Sequence, residues 1–155
     1  MSRNIAISSY LATLIDDFEK YPEEKIVETA KTSIIEFIQT SGMNNDQLAF
    51  KAMIIGAKAG MSIDSEEMNE KEKQLVTDVF GDYYNGDMEA IYEIFNKKMP
   101  ESELEFIRMV GGTPIGMSLL KYILAFAYID GEMDSVTAKM LDEAFAVSLM
   151  SASYE

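Results

Sequence analysis

The chain has 155 residues, a formal net charge of −14, no cysteine and no histidine, and this composition excludes several classes of function. It rules out a disulfide, a thiol nucleophile, a histidine base and the usual zinc ligands, so any bound metal must take oxygen ligands. The negative charge disfavours nucleic acid and favours basic partners or cations, while 48% hydrophobic residues suffice for a folded core.

The predicted elements are all helices, about seven to eight of them in a bundle, and no segment has the alternating pattern of a strand. The first three are predicted at about residues 5–20, 22–41 and 46–60. Pro22 suits the first position of the second helix, and Gly42 suits the residue that ends it. The third helix is expected to bury apolar residues that include Leu48.

The fourth helix has the clearest start signal. Asn69, followed three residues later by Glu72, predicts a capping box, and Gly81 marks the end of the helix. Its apolar residues recur at the spacing of one buried helical face: Leu75, Val76, Val79 and Phe80. The fifth and sixth helices are predicted at about residues 87–98 and 101–110.

The seventh helix is predicted to be the central buried element. The run from Ile115 to Ile129 is strongly apolar, carries Lys121 and is short for a membrane span. Thr113 suits its cap and Pro114 its first position. An eighth helix is predicted at about residues 135–149.

The chain has no low-complexity linker, so a single all-α domain is predicted over residues 1–155. The N-terminal helices, at residues 5–41, are candidates for an element added to a core at about residues 45–149. The N-terminus makes a poor signal peptide, and we therefore expect a cytoplasmic protein that does not itself span a membrane.

The chain is faintly similar to itself at a shift of about 65 residues, with a unit of helix, acidic turn and helix on each side. Asn69 then aligns with Asp134, and the turn residue Glu67 aligns with Glu132. The apolar face of the fourth helix aligns with a second apolar set: Met140, Leu141, Ala144 and Phe145. Because helical spacing alone produces part of this match, duplication and coincidence are both open interpretations.

The second acidic turn resembles the signature of the TerB-like (tellurite-resistance TerB) family. An apolar helix with Ala127 near its end leads into Asp130-Gly131-Glu132 and then into a new helix. The family pattern has such a turn twice, each followed by a glutamate early in the next helix. Here the second unit has Thr137 at that later position, whereas the first has Ser65-Glu66 in place of Asp-Gly and keeps Glu72. Each unit therefore carries half of the signature.

The resemblance covers about residues 45–149 and has consequences for fold and function. It implies an all-helical fold with an acidic patch able to bind a divalent cation. It also implies a role in tellurite or stress resistance beside membrane-associated partners. The charge of the chain independently favours a basic protein partner.

The candidate metal ligands lie in the two acidic turns. Asp130, Glu132 and Asp134 are spaced two residues apart, and oxygen ligands of this kind suit calcium or magnesium. Glu66 and Glu67 of the first turn are weaker candidates for the same site. The sequence therefore predicts a weak divalent-cation site at the junction of the seventh and eighth helices.

The same turn has a purely structural interpretation. An EF-hand loop is excluded, because its required glycine and glutamate positions hold Ser135 and Leu141. Gly131 can end the seventh helix, Asp134 can cap the eighth, and Glu132 can lie near the positive end of its dipole. On this alternative the turn is a corner that needs no ion.

Two further motifs resemble catalytic sequences but lack the neighbouring structure and residues that such sequences require. Ser118-Leu-Leu-Lys121 matches Ser-x-x-Lys but lies inside an apolar helix, and Gly111–Gly116 has neither the Walker ending nor a preceding strand. No catalytic residue is predicted. Two functions stay open: a TerB-like interaction or stress-response module modulated by a cation, and a small metal-dependent hydrolase that uses clustered carboxylates.

Overall fold

The structure, a computed structural model, describes residues 13–42, 46–61, 68–81, 84, 86–95, 97, 99–111, 116–130, 137, 139 and 141. These residues form helices and turns without a strand, so the predicted all-α class is confirmed. Their helices are α1 (residues 13–20), α2 (Glu23–Ser41), α3 (Asp46–Met61), α4 (Glu70–Phe80), α5 (Met88–Phe95), α6 (Glu101–Gly111) and α7 (Gly116–Tyr128). Residues 137, 139 and 141 are helical as well, where the eighth helix is predicted.

Local signals determine the ends of α2 and α4. Gly42 follows α2 with a left-handed φ of 72°, the conformation expected of a glycine that ends a helix. The capping box is confirmed: Asn69 Oδ1 accepts the Glu72 N–H and Glu72 Oε1 accepts the Asn69 N–H, both at 2.9 Å. Pro22 was predicted at the first position of the second helix. It lies one residue before it, at the N-cap, because its ψ of 160° is extended and α2 begins at Glu23.

The central helix is α7, which packs against α2, α3 and α6. All of its residues except Met117 and Lys121 are buried, as predicted for the seventh helix. Its most extensive contact is with α2, so α2 and α7 share one hydrophobic core. The buried residues of α2 and α4 that join this core are Ile26, Ala30, Ile34, Phe37, Leu75, Val76, Val79 and Phe80. No helix in the described part of the chain is long and apolar enough to cross a membrane.

Helices α3 and α7 cross at close range because α3 carries glycines at the crossing. A Cβ atom at Gly56 would lie 2.7 Å from ring carbons of Tyr122, and a Cβ atom at Gly60 would overlap the carbonyl oxygen of Ile123. The buried Tyr122 hydroxyl donates a hydrogen bond to the carbonyl oxygen of Met53 at 2.7 Å. This bond satisfies a polar group inside the core and fixes α7 against α3.

The prediction that Leu48 is buried is wrong. Its side chain is 55% exposed. Leu48 shares a helical stripe of α3 with Ala52 and Ile55, and this stripe lines a groove beside α6. The stripe that contacts α7 is a different one, which contains Gly56 and Gly60.

Leu124→Ala tests the central position of α7. Leu124 is fully buried, so the substitution should lower the free energy of unfolding by about 2–5 kcal/mol through the cavity that it leaves. Urea unfolding provides the measurement, and Leu48→Ala is the matched control because it makes the same change at an exposed position. The control should lose less than about 0.5 kcal/mol. A loss of that size for Leu124→Ala would show that α7 is peripheral.

Tyr128 makes the stability of the fold depend on pH in the alkaline range. Its hydroxyl donates to Glu19 Oε1 of α1 at 3.4 Å, and burial, the charge of Glu19 and this hydrogen bond raise its pKa to about 12. In the unfolded chain the pKa is about 10. The folded state favours the neutral phenol, so this contribution to stability is complete below about pH 10 and is lost between about pH 10 and 12.

We therefore expect Tyr128→Phe to lose less stability than the parent chain as pH rises through this window. Urea midpoints of the two proteins, compared at about pH 8 and at about pH 11, provide the measurement. The other tyrosines and the lysines contribute equally to both proteins. Equal losses in the two proteins would contradict the prediction.

Candidate functional site

The structure describes one of the predicted metal ligands. Asp130 is exposed and lies in the turn that follows α7. The other four candidates, Glu132, Asp134, Glu66 and Glu67, lie outside the described residues. The position of Asp130 nevertheless shows which part of the fold the second acidic turn approaches.

The carboxylate of Asp130 contacts the start of α4. Its Oδ2 accepts a hydrogen bond from Asn69 Nδ2 at 3.1 Å, while Oδ1 of the same Asn69 accepts the Glu72 N–H. The Asn69 side chain thus bridges the capping box of α4 and the turn after α7. A carboxylate here is also stabilised by the positive end of the α4 dipole. The contact joins Asp130 to the N-cap of α4.

For Asp130, the observed geometry is that of a structural corner. Among the described residues, no three acidic side chains are grouped closely enough to hold a metal ion. Asn69 provides one of the hydrogen bonds that a carboxylate at this position needs. The cation site stays a prediction, because its remaining ligands lie in segments that the structure does not describe.

An acidic groove lies beside this turn, between α2 and α4. Its volume is about 340 Å³, and three carboxylates line it: Glu23, Glu70 and Asp78. Buried Leu75 and Ile129 lie at the floor of the same groove. The remaining lining residues are Val27, Lys71 and Gln74. Asp130 directly follows Ile129, so its carboxylate extends the negative charge at this end.

The charges of the acidic groove are only weakly compensated. The Lys71 ammonium lies 3.5 Å from Glu23 Oε1, and both side chains are exposed. Exposed ion pairs of this kind contribute little to stability, so Lys71 is free to move away. Gln74 Nε2 donates to Asp78 Oδ1 at 3.0 Å and orients that carboxylate. Three carboxylates against one ammonium leave two excess negative charges along the lining.

This combination of side chains suits a cationic side chain with an apolar stem. Lysine and arginine bury their methylene groups against apolar surface while the charged end stays in a polar environment. Half-buried Val27 offers such a surface above the buried Leu75 and Ile129, and three carboxylates line the same groove. The polar side chains that line the groove are three carboxylates, one amide and one ammonium.

The serine and the lysine of the Ser-x-x-Lys match do not face the same site in the structure. Ser118 is buried within α7, whereas Lys121 is exposed. The two side chains therefore do not open onto one accessible cavity, in agreement with a chance match. Residues 112–115 of the Gly-rich motif lie outside the described part of the chain.

Comparison with known proteins gives no relative for this chain. No family model matches it, and neither curated proteins nor solved structures give a significant match. The resemblance to TerB-like proteins therefore rests on the turn signature and the helical pattern.

The acidic groove was not predicted from the sequence. Glu23 and Glu70 stand in the first turns of their helices, where the helix dipole alone explains an acidic residue. Their common feature, the groove, arises from the packing of α2 against α4. The one sequence signal that points to such a surface is the net charge of −14.

Proposed function

We propose that this chain is a TerB-like interaction module that binds a basic segment of a partner protein in the acidic groove between α2 and α4. The observation that carries the proposal is the set of three carboxylates around an apolar surface, with Lys71 as the single opposing charge in the lining. The partner supplies a lysine or arginine whose stem packs on half-buried Val27 and whose charge approaches Glu70 and Asp78.

The charge of the whole molecule supports this kind of partner. A net charge of −14 attracts basic surfaces over a distance and raises the association rate. The groove then adds short-range contacts that a diffuse charge lacks. A basic partner at a membrane surface also fits the TerB resemblance, which associates the module with stress resistance in the cytoplasm.

The alternative function, a metal-dependent hydrolase, has no specific observation in its favour. Such chemistry uses carboxylates that converge on a metal with open coordination positions. In the part of the chain that the structure describes, the carboxylates of the acidic groove lie along its length and form no such group.

Binding of a labelled peptide of alternating arginine and leucine, followed by fluorescence anisotropy, tests the groove. Neutralising two of its carboxylates together, Glu70→Gln with Asp78→Asn, should raise Kd by about 5- to 30-fold, because each contributes about 0.5–1 kcal/mol. Raising the salt from about 0.05 M to about 0.5 M should also weaken binding, since it screens the charges.

The matched control is Glu36→Gln with Glu93→Gln. Both residues are exposed and outside the acidic groove, and this pair changes the net charge by the same amount. We expect less than about a 2-fold rise in Kd for the control. Equal effects of the two pairs would show that only the diffuse charge binds the peptide, and would refute the groove as the site.

A divalent cation at the turn after α7 is the second part of the proposal. The hydrogen bond from Asn69 to Asp130 connects this turn to the first turn of α4, which borders the acidic groove. An ion that recruits the Asp130 carboxylate would act on this hydrogen bond. The cation is thereby coupled to the surface that binds the partner.

Calcium titration observed by NMR tests the cation site. The backbone amides of residues 131–135 and of Asn69 should shift with Kd of about 0.1–1 mM or weaker, the range of sites with few charged ligands. Asp130→Asn with Glu132→Gln should abolish the shifts, whereas Glu36→Gln with Glu93→Gln should retain them. Unchanged amides at about 10 mM calcium would identify the turn as a corner only.

A further inference from the structure

A second groove, formed by α3 and α6, differs in chemistry from the acidic groove. Its volume is about 390 Å³, and its walls are mainly apolar, with Leu48, Ala52 and Ile55 on α3 and Phe106 on α6. One lysine and one glutamate, Lys51 and Glu103, also line it. We call it the α3–α6 groove; it shares no lining residue with the acidic groove.

Exposed apolar side chains lie at and beside this groove. Among the described residues the large exposed apolar side chains are Ile35, on α2, and Leu48 and Met109, on α3 and α6. Leu48 lines the α3–α6 groove, and Met109 lies on α6 one helical turn after Phe106 with 67% of its side chain exposed. Exposed apolar residues that adjoin an apolar groove are typical of an interaction surface.

Glu103 gives the groove an unsatisfied acceptor. Its Oε1 atom is buried and has no hydrogen-bond partner. The neighbouring Lys58 is almost fully buried, and burial lowers its pKa, whereas Glu103 raises it and Lys97 lowers it. A carboxylate oxygen without a hydrogen bond is costly, so a donor that enters the groove would be stabilised there. Glu103 is only half-buried, and rotation of its carboxylate can present Oε1 to such a donor.

We propose that a second copy of this chain covers the α3–α6 groove in a twofold-symmetric dimer. Leu48 of each copy fills the apolar part of the other groove, and Lys51 of each copy donates to Glu103 of the other. The proposal follows from one property of α3: Leu48 and Lys51 are spaced i, i+3, so one helix face offers both an apolar side chain for the groove of the other copy and a donor for its Glu103. A twofold interface requires such a self-complementary patch.

Charge complementarity favours a second copy over a basic partner at this surface. The α3–α6 groove carries one cation and one anion, so two copies meet with opposite charges paired. The repulsion between two chains of net charge −14 is screened, because the Debye length is about 8 Å at physiological salt. A strongly basic partner would instead place a like charge beside Lys51.

Sedimentation equilibrium of the full chain at about 0.15 M salt tests the dimer. The parent chain should pass from monomer to dimer between about 5 and 500 μM, and Leu48→Asp should remain monomeric over this range. Lys51→Glu should raise the dimer Kd at least about 10-fold, because like charges then face each other at two symmetric positions. Lys25→Glu, on α2, makes the same change in net charge at an exposed lysine outside both grooves and should raise Kd by less than about 3-fold.

A mixture of two charge-reversed variants gives a result that a structural role of either residue would not produce. Lys51→Glu alone places two glutamates together, and Glu103→Lys alone places two lysines together. In a mixed dimer both contacts pair a glutamate with a lysine, so the mixture should dimerise at concentrations where each variant is a monomer. Should Glu103→Lys fail to fold beside Lys58, the comparison of Lys51→Glu with Lys25→Glu decides.

Three results would overturn the proposal. They are a parent chain that is monomeric at about 500 μM, equal effects of Lys51→Glu and Lys25→Glu, and folded variants whose mixture associates no better than each variant alone. The test uses neither the basic peptide nor calcium, so its outcome is independent of the function proposed above.

Discussion

Helices α3 and α7 can cross closely because Gly60 has no side chain at the crossing point. Any Cβ atom there would overlap the carbonyl oxygen of Ile123 and would lie 2.8 Å from the Cβ atom of Phe126. A backbone oxygen inside a packed core cannot move aside as an exposed side chain can. The close crossing also allows the Tyr122 hydroxyl to reach the carbonyl oxygen of Met53. With α3 so placed, α2 covers much of the remaining apolar surface of α7.

The sequence predicted the features whose partners lie a few residues apart. The capping box of Asn69 and Glu72 and the left-handed Gly42 depend on local backbone geometry, so the residue types alone indicate them. The buried α7 was predictable because nearly all of its positions are apolar, with Lys121 as the charged exception. The exposure of Leu48 was not, because periodicity identifies an apolar stripe but not the neighbour that covers it. The acidic groove depends on two helices that are distant in the sequence.

The two grooves separate long-range from short-range recognition. In the acidic groove an excess of negative charge surrounds a small apolar surface, so attraction begins before contact and depends on salt. In the α3–α6 groove the charges are balanced and the walls are apolar, so contact must supply the free energy. The two partners that we propose, a basic segment and a second copy of the chain, would therefore contact different lining residues.

Burial at aligned positions agrees with both interpretations of the internal similarity. At the shift of about 65 residues, α3 aligns with α7 and α4 with the last predicted helix. Val76 and its counterpart Leu141 are both fully buried. Lys58 aligns with Ile123, and both are buried although their chemistry differs. Burial differs at other aligned positions, since Lys51 and Lys121 are exposed while their counterparts Gly116 and Gly56 are buried. At the aligned pair Ile123 and Lys58, Ile123 lies inside the core, whereas Lys58 lies near Glu103 of α6. Helical burial accounts for the matching positions as readily as a duplication does, and Lys58 places a buried charge near the α3–α6 groove where α7 has an apolar residue.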